Sequence, residues 1–331
     1  MAHRVVFIGT GGRGRSWVRN VTVHPRFKPV AFVDPSSVAH DAMESEFKDL
    51  KLKGFNSVAD ASDGVDADIA IIAASSFHRK GNGIEALGVG WHILVEKPFS
   101  LSISDAKAIV ELGDKKDRIV SVGQNYRFRP EVATMRDMIV QGNIGDIGHG
   151  VFVRHRKRYA GKTYQKSMTH NYLWEMGVHD LDVVRHTLGL KPLRVTGSSF
   201  LPPWGDYDGE TTVSAVYEFE NGVQVNYFGA WASHIPELHW RIDGSLGSLR
   251  MSDGLEVGNP GTGEWQVIVP SESKSFRDMD TLLDQLDEAI TTDSQTSTSG
   301  RDNLWTIGML EGVVRSTESG GPVSITDLVA G

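Results

Sequence analysis

The sequence predicts two different halves. The first is an α/β half built on a doubly wound parallel sheet. The second is an α+β half with a mostly antiparallel sheet and helices. Three observations carry this. A glycine cluster follows the first apolar run directly. Strand-like and helix-like segments then alternate as far as Gly123. Beyond Gly123 the chain changes to segments rich in Val, Tyr, Phe and Trp, separated by turn residues.

The glycine cluster is the most informative stretch. Val5-Val6-Phe7-Ile8 leads into Gly9-Thr10-Gly11-Gly12-Arg13-Gly14, with Gly9, Gly11 and Gly14 at the spacing G-x-G-x-x-G. In a Rossmann crossover the first glycine permits the tight turn. The second lets backbone approach a pyrophosphate, and the third lets helix and strand pack closely. The phosphates then lie at a helix N-terminus, where open N–H groups and the helix dipole favour anions. A second strand-like run, Val30-Ala31-Phe32-Val33, ends in Asp34. That is about twenty residues past the glycines, where such folds place the carboxylate that accepts from the adenosine ribose 2′-OH. A dinucleotide is therefore expected. Asp34 points to NAD, while Arg13, a cation able to offset repulsion of a 2′-phosphate, keeps NADP as the alternative.

The remaining elements follow in order. Residues 14–23 and 36–48 suit the first two helices. Residues 69–74 are almost continuously apolar, as a strand buried on both faces should be. Residues 77–87 read as a helix and 91–95 as a strand. Residues 104–116 are helical with Ser104 as N-cap, and 119–122 complete the sheet. In the second half, 130–140 read as a helix and 151–159 as a strand. Residues 211–219 and 223–231 flank Asn221-Gly222, the strongest short-range hairpin signal. Strands continue at 239–243 and 248–251. Helices are expected at 276–290 and 303–316, joined by a Ser/Thr-rich loop at 291–300. The domain boundary is placed at 123/124, giving domains 1–123 and 124–331.

Composition narrows the function classes. The 331 residues, 40% of them hydrophobic, suffice for two cores. A net charge of -8 argues against a nucleic-acid partner. With no cysteine there is no disulfide, thiolate metal site or thiol nucleophile. No basic segment precedes an apolar leader, and no run has the apolar length of a membrane span, so a cytoplasmic protein with no membrane partner is expected.

Two constellations carry chemistry. Glu96-Lys97-Pro98 closes a parallel strand at its C-terminal end, where open α/β sheets place ligands. Lys97 is thus a catalytic candidate, and Pro98 sets the chain's exit direction. Downstream, Trp174-Glu175-Met176-Gly177-Val178-His179-Asp180-Leu181-Asp182, if helical, puts Glu175, His179 and Asp182 on one face. His179 suits proton transfer near neutral pH, with a carboxylate one turn away to orient it. Lacking Cys and a second His on that face, the cluster is not assigned a metal.

The glycine loop, Glu96-Lys97-Pro98 and Glu175-x-Gly-x-His179-x-x-Asp182 occur in an order and at separations that resemble the Gfo/Idh/MocA oxidoreductases, over essentially the whole chain. The resemblance implies a Rossmann domain followed by an open-faced sheet whose exposed face often makes a dimer, so a homodimer or homotetramer is expected. It implies NAD(P)-dependent redox at a carbon of a sugar, sugar derivative or polyol. Lys97 matches the catalytic lysine and His179 the catalytic histidine. Glu175 stands where many members carry Asp. Ser75 and His78 match positions lining the nicotinamide side, and Asn125 another cofactor contact. With Gly9, Thr10, Gly11, Gly12, Arg13, Asp34, Glu96 and Lys97 these form the expected cofactor set. Two rivals within the same resemblance are a glycoside-cleaving enzyme that oxidises its sugar transiently, and a non-catalytic ligand sensor.

Substrate contacts are expected from Lys97, Glu175 and His179 and from three neighbouring stretches. Arg154, Arg156 and Arg158, with Lys162 and Lys166 following, make a basic strand that suits an anionic group. It equally suits a solvated strand or a subunit contact. Arg156 is the candidate there. His170, Tyr172 and Trp174 offer polar-tipped rings suited to a sugar. Tyr126 and Arg127 follow the parallel sheet at the cleft border.

Overall fold

The computed structural model describes residues 2–160, 164–270 and 278–331. Lys162 and the expected start of the helix at 276 lie outside them. The chain divides into two compact units, Met1–Asn125 with Arg277–Leu304 and Tyr126–Phe276 with Trp305–Gly331.

The first unit carries β1 (His3–Ile8), α1 (Gly12–Val23), β2 (Phe27–Val33), α2 (Ser37–Glu46), β3 (Lys53–Phe55), α3 (Val58–Gly64), β4 (Ile69–Ile72), α4 (Arg79–Gly88), β5 (His92–Val95), α5 (Ile103–Lys116) and β6 (Val120–Val122). The six strands pair in parallel in the order β3-β2-β1-β4-β5-β6. The order reverses at β1/β4, the switch point at whose carboxyl ends such sheets bind ligands. Val5 to Ile8, Ile69 to Ile72 and Ile93 to Val95 are all buried, the continuous apolar runs of a sheet covered on both faces. The N-cap of α5 is Ser102, not Ser104. The Ser102 hydroxyl accepts from the Asp105 backbone N–H.

The second unit carries α6 (Pro130–Val140), β7 (Ile147–Lys157), α7 (Val178–Leu188), β8 (Pro192–Phe200), β9 (Thr212–Phe219), β10 (Gln224–Ala230), β11 (Ala232–Gly244), β12 (Ser248–Met251), β13 (Leu255–Asn259) and β14 (Glu264–Ile268). Then α8 (Asp278–Thr292) belongs to the first unit, and the division falls within α9 (Gly300–Ser319). Finally β15 (Val323–Ser324) and α10 (Ile325–Ala330) close the chain. The second sheet runs β14-β13-β12-β11-β7-β10-β9-β8-β15 and is antiparallel except for the parallel pair β7/β10. At the expected hairpin Asn221 and Gly222 have φ of 62° and 76°, the two positive values that a tight turn of matching twist requires. Along β9 and β10 burial alternates. Tyr217, Val225 and Tyr227 are buried, while Ser214, Val216 and Asn226 are exposed. One face therefore builds the core and the other stands open.

Residues 277–304 do not stay with the second half, as a boundary at 123/124 expects. Helix α8 buries Met279, Leu282, Leu283, Leu286 and Ala289 along one stripe. Asp287 on α8 bonds His3 Nε2 at 2.8 Å and accepts from Arg26 Nε at 3.0 Å, both in the first unit. The Ser/Thr-rich stretch that follows is exposed at first and buried toward its end. Thr296, Thr298 and Ser299 are buried, Thr298 O accepts from Val122 N at 2.9 Å, and Thr296 Oγ1 donates to Ser121 Oγ at 3.2 Å. The Thr298 carbonyl here satisfies a backbone N–H at the edge of β6, and the Thr296 hydroxyl reaches the Ser121 side chain.

The start of β5 gives a pH test. Ile119 N–H donates to His92 Nδ1 at 3.0 Å, which requires the neutral ring. Burial, reinforced by the Arg118 charge, lowers the His92 pKa to about 4. The folded pKa lies below the unfolded value of about 6.5, so this contribution is complete above about pH 6.5 and is lost as pH falls toward about 4. His92→Gln keeps an acceptor without a titrating group. In denaturant titrations from pH 7.5 to 4.5, wild type should lose stability relative to this variant as acid is added. A difference that stays constant with pH contradicts the assignment.

Candidate functional site

In the first unit the glycine loop has the sterics its spacing predicts. Gly9 has a φ of 83°, and a Cβ there would meet the Ala74 backbone at 2.5 Å. A Cβ on Gly14 would strike the Gly9 carbonyl oxygen. Around Gly11, by contrast, a Cβ would find nothing within 4 Å, and no side chain caps the first turn of α1. Tight packing at two glycines and open space at the third, beside uncapped N–H groups, fits a dinucleotide pyrophosphate. Asp34 closes β2. Its Oδ2 accepts from Thr10 N at 2.9 Å and Thr10 Oγ1 at 3.1 Å, and its Oδ1 accepts from Ser36 N at 3.1 Å. These bonds hold the carboxylate beside the glycine loop with acceptor capacity remaining on Oδ1.

Glu96 follows β5 and is 1% exposed. Its Oε1 accepts from Arg13 Nε at 2.5 Å and from Trp17 Nε1 at 2.7 Å, both on α1. Its Oε2 accepts from Lys97 N at 3.2 Å. Arg13 is thus turned toward Glu96. The Lys97-Pro98 peptide is cis. The buried Arg79 braces the same loop, donating through Nε to Ala74 O at 3.0 Å and through Nη1 to Pro98 O at 2.6 Å. Sequence reasoning missed Trp17, whose partner is 79 positions away, and Arg79, which bonds backbone carbonyls here; neither carries a motif signal. Ser75 is half-buried and His78 exposed, around the short turn after β4. Asn125 Nδ2 donates to Asp278 Oδ2 at 2.6 Å, so part of its amide is engaged within the unit.

In the second unit the stretch holding Glu175 and His179 is a π-helical turn, Leu173–Gly177, running into α7. The wider turn changes the face that a uniform α-helix would give Glu175. Two buried carboxylates anchor α7. Asp180 accepts from Arg154 Nε at 2.6 Å, Tyr172 Oη at 2.8 Å and Tyr227 Oη at 3.1 Å. Asp182 accepts from Arg127 Nε and Nη2 at 2.6 and 2.5 Å and from Thr306 Oγ1 at 2.9 Å. Of the carboxylates one turn from His179 expected to orient it, Asp182 has its oxygens on Arg127 and Thr306. Instead the His179 imidazole stacks on the Tyr126 ring, with centroids 3.9 Å apart and planes at 11°.

Other expected substrate contacts are also revised. Tyr172 is fully buried and lies across Gly229, whose missing Cβ makes room for its ring. With its hydroxyl on Asp180, Tyr172 is part of the core. Arg127 is 2% exposed and spent on Asp182. Arg154 is paired with the buried Asp180, while Arg156 stays exposed. His170 adopts a φ of 49°. Burial opposes ionisation of Glu210, yet the backbone N–H groups of His170 and Glu210 hold its carboxyl below the usual range. A residue not foreseen is Tyr207, whose hydroxyl donates to Tyr159 O at 3.2 Å. Burial raises its pKa, Arg158 opposes the rise, and the charges of Asp206 and Glu175 add to it. A cavity of about 230 Å³ in this unit is lined by Tyr126, Arg129, Phe152, Arg154 and Leu238, among others. Among the described residues no three His, Asp or Glu side chains converge as a metal site, and no helix is long and apolar enough to cross a membrane.

Residues 3–124 match the family model for the oxidoreductase family, NAD-binding Rossmann fold, and residues 132–250 match the GFO/IDH/MocA C-terminal domain. The chain belongs to the Gfo/Idh/MocA oxidoreductase family. This Gfo/Idh/MocA protein is 26% identical over 249 residues to D-apiose dehydrogenase of Rhizobium rhizogenes, covering 70% of this chain and 72% of that one. It is 28% identical over 233 residues to scyllo-inositol 2-dehydrogenase (NAD(+)) of Bacillus subtilis, covering 67% and 66%. An oxidoreductase from Agrobacterium radiobacter, solved with NAD+, L-tartaric acid and magnesium, shares the fold at a TM-score of 0.88 with 22% identity, covering 99% of this chain and 100% of that one.

The Asp34 geometry predicts preference for NAD over NADP, because the carboxylate accepts from a free 2′-OH and repels a 2′-phosphate. Asp34→Ala should weaken NAD binding about 10- to 100-fold, the worth of a charge-assisted hydrogen bond, and narrow the preference. Calorimetric titration with both cofactors checks this. Tighter binding of NADP than NAD by wild type would sink it.

Proposed function

We propose that this protein is an NAD-dependent dehydrogenase or reductase acting at a secondary alcohol or ketone of a sugar, sugar derivative or polyol. The observation that carries the reading is the anchoring of Glu96-Lys97-Pro98. The strand end bearing Lys97 is bonded through buried Glu96 to the helix of the glycine loop. The relatives named above, acting on D-apiose and scyllo-inositol, support the substrate class.

NAD, when bound, takes up or returns the hydride. Lys97 hydrogen-bonds the reacting oxygen and stabilises the negative charge that develops there. His179 removes the hydroxyl proton in oxidation and donates it in reduction. Glu175, 9% exposed and four residues before His179, contacts the substrate. The protein's contribution is orientation, electrostatics and proton movement.

The test is a panel of sugars and polyols assayed for NADH formation, with glycosides assayed for aglycone release. Lys97→Ala and His179→Ala should each lower turnover about 10²- to 10⁴-fold while NAD still binds. The double variant should fall by less than the product of the two, since both side chains serve one transition state. A double variant that binds NAD and turns over within a few-fold of wild type removes the mechanism. Aglycone release without net NADH would replace the reaction.

A further inference from the structure

Tyr126 holds a position that substrate recognition does not explain. It lies in the turn Asn125–Phe128 just before α6, and one face of its ring covers the His179 imidazole at 3.9 Å. The Arg129 guanidinium carbon stands 3.3 Å from the centroid of the same ring. Two planar groups that close cannot share one face of a phenol without overlapping, so Arg129 and His179 occupy opposite faces. The half-buried Arg129 has no carboxylate partner among the described residues, which leaves the ring as its main contact.

The residue between them acts in the opposite direction. Arg127 is buried and grips Asp182, three positions after His179 on α7. The turn thus holds the helix twice, through an ion pair below and a ring stack above. Asp180 fixes the same helix to the sheet through Arg154, Tyr172 and Tyr227. With the backbone of α7 held, the remaining freedom of His179 is rotation of its own side chain, and a parallel ring at van der Waals distance restricts that rotation.

We infer that Tyr126, clamped by Arg129, is a positioning residue that sets the plane of the His179 imidazole for proton transfer. The inference rests on the function proposed above for His179. It assigns the phenol's work to its ring face. A substrate hydroxyl contact would instead use its oxygen, and the two differ in what Phe can replace.

Three variants and two readouts separate them. Tyr126→Leu should lower kcat about 10- to 100-fold, the scale of a misplaced catalytic group, with the KM for NAD little changed. Tyr126→Phe keeps the stacking face and should recover most of that loss. Arg129→Met, which removes the charge but keeps the stem, should fall between them. The second readout needs no turnover. In ¹H–¹³C spectra of the protein without cofactor, the His179 ring resonances, assigned by their loss in His179→Gln, should be displaced by the ring current of residue 126. The displacement should persist in Tyr126→Phe and vanish in Tyr126→Leu. Phe as damaging as Leu, or a His179 resonance unmoved by Leu, would overturn the inference. If Tyr126→Leu fails to fold, the Phe and Met variants still decide between ring face and oxygen. Should His179→Gln keep full activity, the function proposed for His179 fails while the spectra still report the stack.

Discussion

A carboxylate withdrawn from water is the constraint on which the nucleotide-binding unit turns. Burying Glu96 is costly unless its charge is compensated. Compensation comes from Arg13 and Trp17 on the first helix and from the backbone N–H of Lys97. The two bonds from Arg13 and Trp17 join segments at the carboxyl end of one sheet, the glycine loop and its helix after β1 and the lysine loop after β5. Arg79 adds a second brace across the loops after β4 and β5. The side chains expected to meet a cofactor are thus held by partners that belong to the scaffold, as a preorganised site requires.

The second unit repeats this with two carboxylates. Helix α7 carries two buried acids two positions apart, and each recruits an arginine, Arg154 for Asp180 and Arg127 for Asp182. Removing one partner of such a pair strands a buried charge, which costs about 3–5 kcal/mol. The pairs therefore specify where α7 sits as well as what it touches. His179 immediately precedes Asp180, the first of the two anchored positions.

The architecture was legible where one local signal sufficed. The glycine spacing, the doubly buried strand at 69–72 and the Asn221-Gly222 hairpin each depend on contacts or dihedrals within a short stretch. Lys97 and His179 are proposed through motif and resemblance. What escaped was long-range. Glu96 was expected to serve the cofactor, and its real partners lie 79 and 83 positions away. Tyr172 looked like a substrate ring because a polar-tipped aromatic reads alike in a cleft and in a core, and only the Gly229 gap and Asp180 distinguish them. Asp182 shared a nominal face with His179, but helical spacing cannot say which neighbour a carboxylate will choose. The return of α8 to the first unit was hidden because an amphipathic stripe names no partner.

The most direct test of this account is Glu96→Gln, which keeps the size of the side chain and removes its charge. An amide cannot accept at both ends, so one of the bonds to Arg13, Trp17 or Lys97 N must become a clash between donors. The account predicts a folded protein whose NAD affinity, measured by calorimetry, falls about 10- to 100-fold, the worth of one charge-assisted bond. An affinity within two-fold of wild type would contradict the claim that buried Glu96 couples the glycine loop to the lysine loop.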